Sequence, residues 1–201
     1  NRKIRELGGS RTYTNLLGYT FGTGLGIGSV INGRLNLGNN SCVETFCLPN
    51  KLMPGIIAED GAAIRSIVRE YGRITGNPDH GLTPYDIFLV AEGVKEGDPE
   101  AAREAFALFG QVAGDAFATA VTLTDSLIVI GGGLTGAAKY ILPSLMAEMR
   151  STLRTLSGDE VQRVQMRIFN LDDEMEFAKF VVGDSRQIKI FGSEDTVTYD
   201  P

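Results

Sequence analysis

The stretch Ser126-Leu-Ile-Val-Ile-Gly-Gly-Gly133 indicates the fold class, because it places a glycine turn directly after an apolar run of strand length. Residues 137–150 then have the spacing of a helix. In open α/β sheets, ligands bind beyond the carboxyl ends of the strands, where this turn stands. Each glycine costs about 1 kcal/mol relative to alanine, so the turn requires bare backbone. Either a nucleotide base or ribose, or close packing of strand on helix, explains that requirement.

The region before residue 50 predicts an antiparallel β-meander. Asn15–Thr20 and Ile27–Ile31 are short β-prone runs joined by the glycine-rich loop 21–26. The dipeptide Asn32-Gly33 that follows is typical of a tight type I′ hairpin turn.

The loop between the first two strands carries a second glycine motif, Gly22-Thr-Gly-Leu-Gly-Ile-Gly28. It is not a Walker loop, which needs Gly-Lys-Ser/Thr, nor a dinucleotide fingerprint, which needs a helix straight after it. Glycines in such a turn let backbone N–H groups approach an anion, and Thr23 adds a hydroxyl donor. A bound phosphate and a hairpin without a ligand both fit these residues.

Helical spacing replaces strand spacing from Ala58 onward. A second helix is predicted from Thr83, an N-cap followed by proline, to the neighbourhood of Gly97. Asp98 repeats the start signal for a long helix that is apolar on most sides and runs to about Val121. This helix is the predicted central packing element.

The last part of the chain mixes short elements. Val164–Phe169 alternates like a half-buried strand, and Asp172–Val182 has the pattern of a short helix that starts with acidic residues. Ile188–Phe191 and Thr196–Tyr199 are two weak strands. Segment 187–201 is therefore predicted to be extended, with a role in lid or dimer contacts.

The composition predicts a globular acidic protein. An apolar content of 43% is enough to bury one sizeable core. Neither an apolar run of roughly 18 residues nor a leader stands out, so we expect a cytoplasmic protein without membrane contact. The net charge of −6 disfavours a surface that binds the phosphate backbone of DNA, so any DNA contact is expected from another segment.

Taken together, the motifs resemble the C-terminal lobe of ROK-family sugar kinases and repressors. Gly22–Arg34 is similar to the family's Gly-Thr-Gly-x-Gly-x-Gly and the Ile-Asn-Gly-Arg/Lys after it. Leu82–Phe88 with Glu96–Pro99 is similar to its helix pair, and Ser126–Gly133 to its adenosine-binding strand and turn. The resemblance covers residues 15–150. It implies an α/β, actin-like ATPase (ribonuclease H-like) domain with a mixed sheet flanked by helices.

The resemblance also implies a domain organisation. Residues 1–201 are expected to form one lobe, with the family's N-terminal lobe absent. The first residues have the pattern of a helix tail whose start is missing, which favours a chain cut from a longer one over the alternative of a frayed natural terminus. Its expected parts are a β-meander with the phosphate loop (12–57), a helical part (58–125), strand, glycine turn, helix and strand (126–170), and an extended tail (171–201).

The ligands implied by the resemblance are ATP with Mg²⁺ and a sugar. The nucleotide-binding candidates are the glycines of both motifs with one threonine: Gly22, Thr23, Gly24, Gly26, Gly131, Gly132 and Gly133. On the sugar side the family carries Glu-x-Gly-His. Here Glu44 keeps the acidic position, Cys47 stands where the histidine would be, and Asn40 is a third candidate. A solvated loop glutamate is the alternative interpretation of Glu44.

Neither a metal site nor a catalytic base is assigned. Cys42, Cys47 and the single histidine, His80, match no zinc template, so we expect reduced thiols, no structural zinc and an ordinary surface histidine. Phosphorylating a sugar hydroxyl needs a general base, usually an aspartate. In the resembled family that aspartate precedes the segment matched here, so the chain alone is expected to be inactive.

Two functions from different classes follow from the resemblance. The leading hypothesis is the nucleotide- and sugar-binding lobe of an ATP-dependent hexose or N-acetylhexosamine kinase. The alternative is a sugar-sensing, NagC-like transcriptional regulator whose DNA-binding segment lies outside this chain. A third hypothesis is an actin-like module without a sugar ligand. Since the family often forms dimers, a homodimer is expected in each case.

Overall fold

The computed structural model describes residues 1–183 and 186–199, and its centre is a four-stranded mixed sheet. The order of the strands is β3-β2-β1-β4, with β1 parallel to β4 and antiparallel to β2. Positive φ angles at Asn32 and Gly33 match the predicted type I′ turn between β2 and β3. The sheet strands are β1 (Leu16–Phe21), β2 (Leu25–Ile31), β3 (Arg34–Leu35) and β4 (Leu127–Gly131).

The helices occur along the chain in the predicted order, with two different boundaries. The first core helix begins at Ile64 rather than Ala58, because a separate 3-10 turn occupies Ala58–Asp60. The helix that starts after Thr83 ends at Ala91, several residues before Gly97. The helices are α1 (Arg2–Glu6), α2 (Ile64–Thr75), α3 (Pro84–Ala91), α4 (Pro99–Thr124), α5 (Ala138–Met149) and α6 (Glu174–Val182).

The hydrophobic core lies between β1 and α4. Tyr19 stacks on Phe117 with ring centroids 4.0 Å apart, and Phe21 meets Phe109 edge-on at 4.8 Å. These rings are almost completely buried. Burial raises the pKa of Tyr19 to about 12, so its phenol stays protonated in the core. The long helix predicted from the sequence is thus the element on which the sheet packs.

Helix α4 also packs closely against α5, through two glycines one turn apart. A Cβ atom at Gly110 would lie 2.3 Å from the carbonyl oxygen of Ile141, and one at Gly114 would lie 2.5 Å from that of Leu145. By length and composition α4 could cross a membrane, but 61% of its apolar window is buried inside the protein. That burial is typical of a helix in a protein core.

The C-terminal part differs from the sequence prediction at one element. The prediction of a strand at 164–169 is wrong, because this segment is irregular, although Val164 is buried. Its apolar alternation serves to pack against the core without a strand partner. Two hairpins occur nearby, β5 (Thr152–Arg154) with β6 (Glu160–Gln162), and β7 (Arg186–Lys189) with β8 (Thr196–Tyr199). Residues 184–185 and 200–201 of the predicted tail lie outside the described residues.

The N-terminus of α3 is fixed by a capping box. Thr83 Oγ1 accepts a hydrogen bond from Asp86 N at 3.2 Å, and Asp86 Oδ2 accepts one from Thr83 N at 2.9 Å. The ammonium group of Lys95, followed by Thr83, holds the pKa of Asp86 well below its usual range. The carboxylate therefore stabilises the fold above the ordinary carboxyl pKa, and this contribution is lost as the pH falls toward the lowered folded pKa.

We expect Thr83→Ala to lower the free energy of unfolding by about 1 kcal/mol, because the backbone N–H of Asp86 loses its side-chain acceptor. Urea denaturation at neutral pH measures the effect. Glu96→Ala, at an exposed position in the following loop, is the control and should change stability by less than about 0.5 kcal/mol. Equal stability of the two variants would contradict the capping argument.

Candidate functional site

The sheet brings the two glycine motifs together. Strands β1 and β4 run parallel with Thr20 paired to Gly131, so both chains leave the sheet at the same edge. The residues that follow are Gly22 on one side and Gly132 on the other. A Cβ atom at Gly132 would lie 2.4 Å from the carbonyl oxygen of Phe21, which shows how closely the two turns approach. Neighbouring strands lie about 4.8 Å apart, so one ligand can contact both turns.

The hairpin loop leaves backbone donors free. Within the part of the chain that the structure describes, the N–H groups of Thr23 and Gly24 donate no hydrogen bond. A Cβ atom at Gly22 or at Gly133 would meet no atom within 4 Å, so there is open space beside both turns. Unbonded N–H groups beside open, glycine-lined space are the arrangement that binds phosphate oxygens. The residues present therefore fit the phosphates of a nucleotide.

The carboxylate of Glu59 and the guanidinium of Arg65 both form hydrogen bonds with this loop. Glu59 Oε2 accepts a hydrogen bond from Leu25 N at 3.0 Å, while Arg65 Nη1 donates to the carbonyl oxygen of Thr23 at 3.0 Å. Arg65 also contacts Glu59 Oε1 at 3.0 Å and Asp60 Oδ1 at 2.7 Å. Hydrogen bonds to Asp60 and then to Glu59 raise the pKa of Arg65, which keeps its charge.

Helix α2 begins beside the same loop. Its first residue, Ile64, donates its N–H to the carbonyl oxygen of Gly22 at 2.8 Å. The N-terminal end of a helix carries a partial positive charge, which favours an anion nearby. The loop is thus bonded to the 3-10 turn through the Leu25 N–H and to α2 through the carbonyl groups of Gly22 and Thr23.

The sequence analysis did not identify Glu59 and Arg65 as part of this site. Glu59 lies in the 3-10 turn and Arg65 in the first turn of α2, more than 30 residues after the hairpin. Acidic residues are common near helix starts, so composition alone gave no signal. Only the tertiary contact with Gly24 reveals their role, since a Cβ there would lie 2.7 Å from Glu59 Oε2.

The predicted sugar-binding residues lie in the irregular segment after β3. Asn40, Glu44 and Cys47 are all exposed. The segment is anchored to the 3-10 turn: Glu59 N donates to the carbonyl oxygen of Phe46 at 3.1 Å, and Ala58 N donates to that of Leu48 at 2.7 Å. The segment that carries the sugar-side candidates and the glycine hairpin are therefore both bonded to the same 3-10 turn. Direct contact of these three residues with a sugar stays a prediction.

The single histidine is not the surface residue expected from the sequence. His80 is half-buried and meets Tyr71 edge-on, with ring centroids 5.1 Å apart. Its Nδ1 accepts a hydrogen bond from Leu82 N at 2.9 Å, which places the ring proton on Nε2, 3.1 Å from the carbonyl oxygen of Val68. The prediction was wrong because the loop folds back on α2. His80 fastens that loop to the helix.

The two cysteines do not form a disulfide. Cys42 and Cys47 are exposed, free cysteines, and Cys42 Sγ donates to the carbonyl oxygen of Asn40 at 3.0 Å. Among residues 1–183 and 186–199, no three His, Cys, Asp or Glu side chains form a group that could hold a metal ion. The absence of a structural zinc stays a prediction.

Comparison with known proteins defines the class to which this arrangement belongs. No family model and no curated protein sequence matches the chain, but solved structures do. A ROK-family glucokinase from Streptomyces griseus, in complex with glucose and AMPPNP, is 23% identical at a TM-score of 0.53, over 71% of this chain and 52% of that one. A ROK-family transcriptional regulator, a homologue of the E. coli MLC protein, is 22% identical at 0.56, over 73% and 40%. The chain has the α/β fold of ROK proteins.

A more similar structure is the glucokinase from Parabacteroides distasonis. It is 41% identical to this chain with a TM-score of 0.82, and the match covers 100% of this chain, including its C-terminal part. The resemblance to the ROK family is therefore confirmed. The chain spans 54% of the length of that glucokinase.

Proposed function

We propose that this chain is the nucleotide- and sugar-binding lobe of an ATP-dependent hexose or N-acetylhexosamine kinase. One observation carries the proposal: two glycine turns leave adjacent parallel strands at the same edge, with unbonded N–H groups beside open space. The 41% identity to a glucokinase over the whole chain supports the same activity. The assignment to the actin-like, ribonuclease H-like class is part of this proposal.

The nucleotide is proposed to span the two turns. Gly22, Thr23, Gly24 and Gly26 would surround the phosphates, with the free N–H groups as donors, and Gly131–Gly133 would lie against the adenosine. Bound Mg²⁺ would neutralise the phosphate charge during transfer. The protein's part in this chain is to position the phosphates, since no general base is assigned here.

The sugar is proposed to lie on the side of Asn40, Glu44 and Cys47. A carboxylate can accept hydrogen bonds from two hydroxyl groups, and an exposed loop position leaves Glu44 free to do so. The hairpin β7–β8, in which Ile188 and Val197 are about half exposed, is the proposed dimer or lid element. A cytoplasmic homodimer without structural zinc and with one lobe over residues 1–201 completes the proposal.

The test is ADP release by the intact gene product with Mg-ATP, across a panel of hexoses and N-acetylhexosamines. Sugar-dependent turnover is the expected result, and the best substrate identifies the sugar. Turnover by no sugar, together with no binding of ATP or ADP in calorimetry, would refute the kinase proposal.

A sugar-sensing regulator is the second candidate, because a ROK-family regulator shares this fold over 73% of the chain. In that case a sugar should raise the melting temperature without ADP release. Specific DNA binding by the intact protein would then decide for the regulator.

We expect Gly22→Val to weaken ADP binding by at least tenfold, because its side chain would fill the space proposed for a phosphate. Stability should change little, since a Cβ at Gly22 meets no atom within 4 Å. Gly28→Val in β2, which is exposed and equally unobstructed, is the matched control and should bind ADP normally. Calorimetric titration measures both, and equal affinities would place the phosphates elsewhere.

A further inference from the structure

Glu59 touches both halves of the proposed site. Its carboxylate accepts the N–H of Leu25, at the end of the hairpin loop, while its backbone N–H donates to Phe46, next to Cys47. Ala58 makes the parallel bond to Leu48. One 3-10 turn therefore bonds directly to the nucleotide side and to the sugar side.

The carboxylate also determines which loop groups remain free. By accepting from Leu25 N and pairing with Arg65, which holds the Thr23 carbonyl, Glu59 fixes the two peptide groups that flank Gly24. The N–H groups left unbonded are those of Thr23 and Gly24. Only glycine at position 24 lets the carboxylate lie this close to the loop, because a Cβ there would lie 2.7 Å from Glu59 Oε2. The Gly24 N–H shares a peptide group with the Thr23 carbonyl, so its orientation depends on the pair of Glu59 and Arg65, while Ile64 holds the peptide group of the Thr23 N–H.

We infer that Glu59 is a positioning residue that aims the phosphate-binding loop and transmits sugar binding to it. The inference rests on the proposed kinase function and goes beyond it, since it assigns the coupling between two ligands to one side chain. A sugar that orders segment 44–48 would fix the 3-10 turn, and the turn would fix the loop. Each ligand would then bind more tightly in the presence of the other, as linkage requires.

The test compares Glu59→Ala and Glu59→Gln in the intact protein. Alanine removes both contacts of the carboxylate, so the KM for ATP should rise about tenfold, the size expected for a lost charge-assisted hydrogen bond. The kcat should change less than about threefold, because the reacting groups are untouched. The factor by which saturating sugar improves ADP affinity should fall toward one.

Two further variants separate positioning from simple stability. Glutamine at 59 keeps an oxygen for Leu25 N, so it should recover most of the ATP KM. Glu176→Ala is the matched control, because that carboxylate also holds a backbone N–H, of Asn170, and an arginine, Arg150, but in α6. It should lower the melting temperature comparably while leaving the ATP KM and the sugar effect unchanged.

The outcomes distinguish this inference from the function on which it rests. If the wild-type protein binds ADP and Glu59→Ala changes neither its affinity nor the effect of sugar, the inference is wrong and the kinase proposal stands. If the wild type binds nucleotide without turnover, the ADP affinities still decide, and a tenfold loss supports the positioning role. Wild-type protein that binds no nucleotide would overturn both.

Discussion

Gly132→Ala should destabilise this protein by about 3 kcal/mol, the larger of the effects expected at the glycine turns. The backbone at Gly132 has φ 100° and ψ 175°, a conformation essentially restricted to glycine. A methyl group there would also lie 2.4 Å from the carbonyl oxygen and 2.8 Å from the nitrogen of Phe21. Backbone atoms of a central strand cannot move aside cheaply, so strain and overlap add.

Gly133→Ala is the matched control for that experiment. Gly133 has open space around its Cβ position and no positive φ, so the stability of the Gly133→Ala protein should stay within about 0.5 kcal/mol of wild type. Urea denaturation measures both variants. A stable Gly132→Ala protein would show that the two turns are not packed as described. If Gly133 lies against the adenosine, its alanine variant should nevertheless lose ADP affinity.

The second large effect is expected at the crossing of α4 and α5. Gly110→Ala would normally stabilise a helix by up to about 1 kcal/mol through propensity. Here the added methyl group would lie 2.3 Å from the Ile141 carbonyl oxygen, so the helices must separate, and we expect a net loss of about 3 kcal/mol. Gly114→Ala, at 2.5 Å from the Leu145 carbonyl oxygen, should cost nearly as much.

Glu104→Ala is the control for the helix crossing, because it introduces the same residue at an exposed position of the same helix. It should leave stability within about 0.5 kcal/mol of wild type. Thermal unfolding followed by circular dichroism gives the comparison. If Gly110→Ala raised the melting temperature, helix propensity would outweigh contact, and the close approach of α4 and α5 would be refuted.

The sequence predicted the elements of this fold where local chemistry specifies them. The cap at Asp98, whose Oδ1 accepts from Glu100 N and Ala101 N, and the turn at Asn32-Gly33 are local signals, and both are present. The prediction of a strand at 164–169 was wrong because the alternation of apolar and polar residues indicates one buried face but does not identify a strand to pair with. Short apolar patterns of this kind do not distinguish a strand from irregular chain packed on the core.

The candidate site could be predicted only in part, for a related reason. Runs of glycine indicate positions where the backbone must be free of side chains, so both turns could be predicted from the sequence. Their meeting depends on β1 pairing in parallel with β4, more than 100 residues away. The roles of Glu59 and His80 depend on which loops fold back onto α2. Such contacts leave no periodic or compositional trace in one sequence.

The short helix α1 has a consequence for the dynamics of the chain. A helix of five residues is not stable alone, and α1 persists because Ile4 is buried and Lys3 lies 5.0 Å from the ring centroid of Phe177 in α6. Tyr13 stacks on Phe180 of the same helix at 5.2 Å. Helices α1 and α6 should therefore open and close as one cooperative unit, and their amide protons should exchange together, well before those of α4.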